Sequence, residues 1–540
     1  MIKTFFTLFV MVSFVDAEIT FEDINSKPSG RAKNFMIWQY MKQDISSKEA
    51  DKAYSQVEGN IWKIKKAYLK KSTNKLYQKE SKCKSQKDLL SIVEKECLNL
   101  ALNPYKTLNL DTLTREKLLT RVDSKRMQEI IKIQAEPYSE EAYLSYDANT
   151  ILTMFISTTS QIRRENLNKK YSKNFINKMF SKEASNWKKF SLIKIIVNDD
   201  KLDKLQSSIL SINGENVGFN SNFLLGLNQL KLSHITSAIK YFELAKSKAE
   251  HQSQIDKATF WIYLSSSDEK YLQELSLSVK INIYTLYAHE KLGSKVDNYF
   301  SSVGVEKVKS KKNICDPFVW NDIMQEIKET PKEKLFELAN KYNQKDMMAV
   351  QAYIIEKAYR FKIHGYVMPY DEYLGEVSTD RKALVYALMR QESNLIPAAL
   401  SRSFALGLMQ IMPFVTDDLS KRMKNPISCY NDMFDPSYNI KYALKHLKWM
   451  DKSLYHPLFT AYAYNGGMGY FRKHLRTGAF GEGKYEPFLS MELMRNKESR
   501  EYGKKVLSNY VMYKRILGEE VSLKSLLEML KYPKKTDRFR

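Results

Sequence analysis

No proline occurs between Tyr138 and Asp316, and within that stretch apolar residues recur at helical rather than strand spacing. Proline ends or kinks a helix, and half-buried strands would alternate apolar with polar, so a run of this length reads as helix after helix. Phe223, Leu224, Leu227 and Leu230 share one helical face; Ser233-His234 breaks the run, and Ile235, Ala238, Ile239, Phe242 and Ala245 resume it as an antiparallel partner. Ala258, Trp261, Ile262 and Leu264, then Ile283, Tyr284, Tyr287, Ala288 and Leu292, read as a second pair. A single hairpin cannot bury its apolar face alone, so such units stack as in a solenoid, here without a clean period of about 34 residues. The lysine-rich run Lys307 to Lys312 and then Pro317 end the pattern, and Pro331 to Pro369 reads as a short linker. More than half of the glycines and prolines lie from Pro369 onward, so the last part of the chain is built from shorter elements and more turns.

That C-terminal part holds the residues with chemical potential. Leu384, Leu388 and Glu392 are spaced by four, so on a helix Glu392 stands where an apolar face ends. Desolvation there disfavours the charged carboxylate and keeps a proton available near neutral pH. Taken alone, Glu392 reads more readily as a helix-terminal surface glutamate. Behind it come Ser401, the run Gly407-Leu408-Met409-Gln410-Ile411-Met412-Pro413, then Asp435-Pro436-Ser437-Tyr438-Asn439-Ile440, Ala463-Tyr464-Asn465-Gly466-Gly467 and Glu498-Ser499-Arg500-Glu501-Tyr502. Each has a plain structural reading: the Leu and Met residues as core, Asp435-Pro436 as a helix start, Asn465-Gly466-Gly467 as a helix end, Glu498 and Arg500 as a solvated face. Gly407 is more specific, because a glycine inside an apolar run marks close backbone approach or a special dihedral angle.

In this joint order, from about Val385 to Leu517, the segments resemble the soluble lytic transglycosylases of the bacterial cell wall. The resemblance implies an all-α fold: an N-terminal helical-hairpin superhelix in a ring or horseshoe at 18–310, a small helical linker domain at 311–370, and a lysozyme-like catalytic domain at 371–540. It makes Glu392 the catalytic acid and then base. Ser401 would orient it, Gln410 and Met412 would line sugar subsites, Tyr464 would face the glutamate across the cleft with Asn465 beside it, and Glu498 would be a second acidic wall residue. Glycoside hydrolases ordinarily use two carboxyl groups. Asp417 and Asp418 come soon after Pro413 but read as helix caps. In the family the nucleophile is the substrate's own C6 hydroxyl, which closes a 1,6-anhydro ring on N-acetylmuramic acid at the β-1,4 bond to N-acetylglucosamine. Exolytic action, from chain ends, is the expectation that goes with a ring. A goose-type lysozyme-like hydrolase and a peptidoglycan-binding helical scaffold are the alternatives. The chain departs from the family pattern at Phe404, where a glycine is usual, at Gly466 for an alanine, and at Ser499 for a threonine.

Lys3 followed by the apolar run Phe5 to Val15 and by Val15-Asp16-Ala17 reads as a cleavable secretory signal at residues 1–17. That run is shorter than the roughly 20 residues a membrane-spanning helix needs, and no other long apolar stretch appears, so a soluble periplasmic protein without stable membrane insertion is expected. A retained anchor is the competing reading. In an oxidising compartment the four cysteines permit disulfides; Cys83 with Cys97 is the first choice because the loop is short, and four free thiols is the alternative. The formal charge of +24 favours polyanionic partners. Export and the lack of any base-reading motif argue against nucleic acid. Peptidoglycan glycan strands, whose stem peptides carry carboxylates, fit the charge, although a lysine-rich composition can equally be a solvated surface. Cell-wall synthesis or secretion-system proteins are further partners compatible with this class. The seven histidines show no metal-ligand spacing and no phosphate-cradling loop occurs, so no metal and no cofactor is implied.

Overall fold

The computed structural model of the chain describes residues 18–540. The expected secretory signal lies outside them. Among the described residues the fold is all-α, and the only strands are the two-residue pair Tyr299–Phe300 and His364–Gly365, which run parallel.

Two N-terminal helices, α1 (Arg31–Tyr40) and α2 (Trp62–Tyr68), pack toward the C-terminal region through Trp38 and Lys63. Beyond them a satellite core of Leu89, Ile92, Leu98, Leu118 and Ile131 stands apart from the main one. So small a core buries little surface, and the Cys83–Cys97 disulfide, with its Cα atoms 5.1 Å apart, ties its edge together. Cys315 and Cys429 are free thiols.

The proline-free stretch forms the anticipated hairpin, α3 (Phe219–Lys231) with α4 (Ile235–Ser247). Ser233, at φ 65°, makes the turn between them. Gly226 lets the two helices approach, because a Cβ there would run into the Phe242 ring. Helix α5 (Gln252–Ser266) stacks on α4, continuing the aromatic core from Phe223 through Phe242 to Trp261, with centroids 5.6 and 5.8 Å apart. The second pair differs from the simple hairpin read in the sequence. A short helix, Lys270–Ser276, with Leu272 and Leu275 buried, intervenes between α5 and α6 (Ile283–Leu292). Apolar residues three apart on a single turn are too brief a pattern to mark an element.

The C-terminal region is organised around α7 (Thr379–Ser393), α8 (Pro413–Ser420), α9 (Pro436–Met450), α10 (Pro457–Gly466), α11 (Phe488–Leu493) and α12 (Lys497–Ile516). Asp435 caps α9 through its carboxylate, and Pro436 takes the first helical position, where its missing N–H costs nothing. Helix α12 is the central strut, packed against α7 and α10, and at Gly503 the Tyr462 ring comes so close that any side chain would collide with it.

The superhelical part is joined to this region by buried charge. Glu492 of α11 accepts from Lys257 of α5 at 2.8 Å, Lys504 of α12 at 2.7 Å and the Tyr284 hydroxyl of α6 at 2.5 Å. Glu501 of α12 pairs with Lys257 at 3.2 Å, Lys504 at 3.0 Å and Arg500 at 3.0 Å. Phe260 packs on Phe488 with centroids 4.7 Å apart. Glu290, at the end of α6, accepts from the backbone N–H of Leu523 at 2.7 Å and from the Ser522 hydroxyl.

Candidate active site

Helix α7 brings Glu392 to its C-terminal end. Asn394 and Leu395 turn the chain away in the left-handed region, at φ 52° and 65°. Arg390, two residues earlier, fixes the helix by pairing with buried Glu356 at 2.7 Å and lying 4.4 Å over the Tyr366 ring. Glu392 itself is only partly open to solvent, and burial pushes its carboxyl up to about 7. The Tyr502 hydroxyl opposes that rise by donating to Glu392 Oε1 at 2.7 Å, and the nearby charge of Glu498 reinforces it. No cation pairs with Glu392 among the described residues.

Glu498 and Tyr502 are four apart on α12 and so reach one side of it together. Glu498 is exposed in the first turn, where Asn496 caps the helix. Asn465 donates to Glu498 at 3.1 Å and accepts from Ser499 at 2.8 Å. Ser499 is fully buried and its Oγ stands 2.7 Å from where a Cβ on Gly466 would be, so an alanine at 466 would need this hydroxyl to move. The paired departures at Gly466 and Ser499 therefore meet in space. Tyr464 is close enough to Glu392 that, after burial, the glutamate's charge is what raises its phenol, and its hydroxyl donates to the Met409 carbonyl at 2.7 Å.

The loop opposite is held by backbone. Gly407 has φ 71°, and any Cβ there would collide with the Met433 carbonyl and the Asn439 amide, so both properties expected of a glycine at this place are present. Buried Asn439 accepts from Met409 N–H at 2.8 Å and donates to the carbonyls of Leu406 at 2.9 Å and Met433 at 2.7 Å. Gln410 turns its amide inward, donating to the carbonyls of Ala399 at 2.9 Å and Gly407 at 2.8 Å. Met412 is half-buried and starts α8. Ser401 does not hydrogen-bond Glu392; its hydroxyl accepts from the N–H groups of Ser403 at 3.2 Å and Ala405 at 2.8 Å, bracing its own loop. The group that orients Glu392 by a hydrogen bond is Tyr502. Asp417 accepts from Tyr430 at 2.8 Å and Asp418 pairs with Arg422, so both are engaged elsewhere.

Phe404 explains how the loop does without its usual glycine. It sits at φ 59°, a conformation costing a non-glycine residue about 1–2 kcal/mol. Its ring is fully buried against Phe35 and Trp38 of α1, each at 5.4 Å, and burying a phenylalanine returns about 1.5–3 kcal/mol. The burial outweighs the strain, and the N-terminal helices become part of the loop's support. Arg31 also donates to the Leu400 carbonyl at 2.7 Å and Lys63 to that of Ser403 at 2.6 Å.

Of the residues singled out in the sequence, Tyr464, Asn465 and Glu498 are brought together around Glu392, while Gln410, Met412 and Ser401 belong to the loop that Tyr464 joins at the Met409 carbonyl. Asn439 and Tyr502 lie in the same sequence segments but carry no role that the sequence alone assigns. The spacing of Tyr502 from Glu498 is the available signal for the second.

Residues 374–485 match the family model described as the Transglycosylase SLT domain. The soluble lytic murein transglycosylase of Escherichia coli K12 is 27% identical over 214 residues, 39% of this chain and 33% of that protein. The protein of the same description from Salmonella typhimurium is 26% identical over 183 residues, 33% of this chain and 28% of that protein. The alignments therefore span about a third of these curated relatives. Among solved structures, an inactive glutamate-to-glutamine mutant of the lytic transglycosylase Slt from Pseudomonas aeruginosa aligns with TM-score 0.53 and 13% identity over 93% of this chain and 84% of that one. The 70 kDa soluble lytic transglycosylase of Escherichia coli aligns with TM-score 0.50 and 16% identity over 94% and 84%. The all-α architecture of superhelix and lysozyme-like domain is thus shared along nearly the whole chain.

Proposed function

We propose that this chain, whose residues 374–485 form a transglycosylase SLT domain, is a lytic transglycosylase that cleaves peptidoglycan glycan strands in the periplasm. The observation that carries the reading is a single carboxyl, Glu392, held up to about 7 by burial, with one phenol as its hydrogen-bond partner and, among the described residues, no cation paired with it. A carboxyl in that state is protonated in a useful fraction at neutral pH and can give its proton to the departing glycosidic oxygen. It is then an unpaired carboxylate, able to take the proton from the C6 hydroxyl of N-acetylmuramic acid as that oxygen bonds to C1. One bond to C1 breaks, one forms, and the proton lost by Glu392 is returned, so no water is consumed. An internal nucleophile gains up to roughly 7–11 kcal/mol from proximity, which replaces the second catalytic carboxylate that hydrolases use. In this reading Tyr502 and Tyr464 orient the acid, Glu498 helps keep it protonated, and Gln410 and Met412 shape the wall that holds the sugars. That the Pseudomonas relative is inactive as a glutamate-to-glutamine mutant supports a glutamate as the acting group. We read the action as exolytic, the mode that goes with a superhelix seated on the catalytic part, and the contacts of Phe35, Arg31 and Lys63 with the loop at Leu400 to Phe404 support that seating.

Mass spectrometry of muropeptides released by the protein and by Glu392→Gln tests this. Anhydro products, lighter by one water than hydrolysis products and absent with the variant, are expected. Hydrated, reducing ends would instead make the protein a goose-type lysozyme-like hydrolase.

A further inference from the structure

A cavity of about 630 Å³ opens where α5 and α6, the segment 353–366, the end of α7 and the first turns of α12 meet. It comes near the candidate active site through Gln391 and Asn394, but Glu392, Tyr464 and Tyr502 do not line it. Its walls carry more positive charge than they balance. Arg390 is matched by Glu356. Lys257, Arg500 and Lys504, each less than a tenth exposed, share two carboxylates, Glu492 and Glu501. Lys280, Lys497 and Lys505 complete the lining with no carboxylate partner among the described residues. Four cations are therefore left over, one of them inside the buried set. A buried charge short of its counter-ion is costly and neighbouring exposed lysines repel one another, so the cavity gains from an anion with more than one charge.

The remaining walls suit more than a bare ion. Tyr353 and Phe361 lie with ring centroids 6.2 Å apart, and Phe219, Ile281 and Ile283 add apolar surface. Phe361 is 39% exposed, and both it and Arg360 are in the left-handed region, at φ 55° and 54°. Two such residues in succession are strained, a state that persists only where surrounding contacts enforce it. Here the Phe361 N–H donates to the Glu356 carbonyl at 2.7 Å, and the Phe361 carbonyl accepts from Lys280 at 3.0 Å. A lysine of the cationic lining thus holds the strained backbone from which an aromatic ring meets the same cavity.

We propose that this cavity is a binding site for a sugar phosphate, separate from the glycan cleft, with the phosphate on Lys497 and Lys505 beside the buried surplus at Arg500 and Lys504, and the sugar against Tyr353 and Phe361. Hydrogen bonds between charged donors and phosphate are roughly twice as strong as neutral ones, and the C–H face of a pyranose suits an aromatic wall. The volume falls in the range of about 300–1,000 Å³ usual for small-ligand sites. Because α5, α6, the segment 353–366 and α12 all contribute to the lining, an occupant ties the superhelical part to the catalytic part.

Isothermal titration of the full chain at fixed ionic strength compares N-acetylglucosamine 1-phosphate with N-acetylglucosamine and with inorganic phosphate. The sugar phosphate binds roughly ten-fold or more tighter than either part. Lys497→Ala with Lys505→Ala, both at exposed positions, lowers its affinity roughly ten-fold. Phe361→Ala also weakens the sugar phosphate and leaves inorganic phosphate unchanged. Lys66→Ala with Lys70→Ala, at the N-terminal helices, changes neither, and the Glu392→Gln chain binds as the native one does. Four results overturn the proposal: a sugar phosphate that binds no tighter than inorganic phosphate; an affinity that survives loss of Lys497 and Lys505; an equal fall when Lys66 and Lys70 are removed instead, which marks the general attraction of a basic chain for anions; or a loss with Glu392→Gln, which places the ligand in the catalytic cleft. None of these results depends on which products the enzyme releases, so the site and the proposed reaction stand or fall separately.

Discussion

Helix α12 passes between two buried carboxyl environments that shift their acids in opposite directions. On one face Tyr502 and Glu498 address Glu392, where burial raises the carboxyl to about 7. On another face Glu501 and Lys504 join Glu492, where burial also pushes upward but Lys257 and Lys504 overcome it and hold the group well below the ordinary carboxylate range. Both acids are desolvated. What separates them is the number of cations paired with each: among the described residues none at Glu392, two at Glu492, with Arg500 adding its charge nearby. Burial therefore makes a proton donor only where the protein withholds compensation, and makes a structural tie where it supplies it.

Converting each acid to its amide gives the two largest expected effects, in different observables. Glu392→Gln keeps the fold and lowers release of muropeptides by about a thousand-fold or more. Glu492→Gln leaves Lys257, Lys504 and Arg500 to share the one carboxylate of Glu501 in the interior and costs about 3–5 kcal/mol, read as a shifted midpoint in urea unfolding. An active site that tolerates loss of its acid beside a tie that does not would confirm the division. Equal destabilisation by both changes would break it.

The two acids also predict opposite pH slopes. Glu492 binds its proton less readily folded than unfolded, so its stabilisation is present above the ordinary value of 4.5 and is lost as pH falls below it. Glu392 binds its proton more readily folded, so its contribution is complete below 4.5 and is lost as pH rises to about 7. The Glu392→Gln variant should lose the decline between those limits and gain stability over the native chain at pH 8, while its acid-side loss persists. Stability measured against pH for both proteins checks this. Lys257→Met is milder than Glu492→Gln, because Lys504 and Tyr284 still reach the carboxylate; a loss of about 1–3 kcal/mol is expected.

How much of this contrast is legible in the sequence depends on how local each part is. Glu392 can be found because its helical spacing and the segments behind it are local patterns, and Gly407 because only glycine suits its dihedral angle and its contacts. The α3–α4 hairpin is visible for the same reason. Glu492 is not, since two of its partners, Tyr284 and Lys257, are more than two hundred positions away, and a buried lysine such as Lys257 or Lys504 looks in sequence like any other in a chain so rich in them. Ser401 was expected at the acid, but its hydroxyl finds nearer donors in its own loop. Phe404, a departure from the pattern, proves to be one of the contacts that fasten the N-terminal helices to the loop at Leu400 to Ala405.

The finest test lies within the Glu392 face, where Tyr502 and Glu498 act against each other. The Tyr502 hydroxyl favours the carboxylate and draws the group down; the charge of Glu498 favours the acid and pushes it up. Activity that needs the protonated form falls on the alkaline side of about 7. Tyr502→Phe removes the donor and should move that limb to higher pH, while Glu498→Gln removes the repelling charge and should move it to lower pH. Because Asn465 also holds Glu498, the second change is better resolved in a pH profile of kcat/KM than in rate at one pH. A merely structural role for either residue would lower activity at every pH and leave the limb in place. Opposite displacements of the limb would show that one face of α12 sets the acid's proton affinity by balancing a hydrogen bond against a charge, with no cation involved.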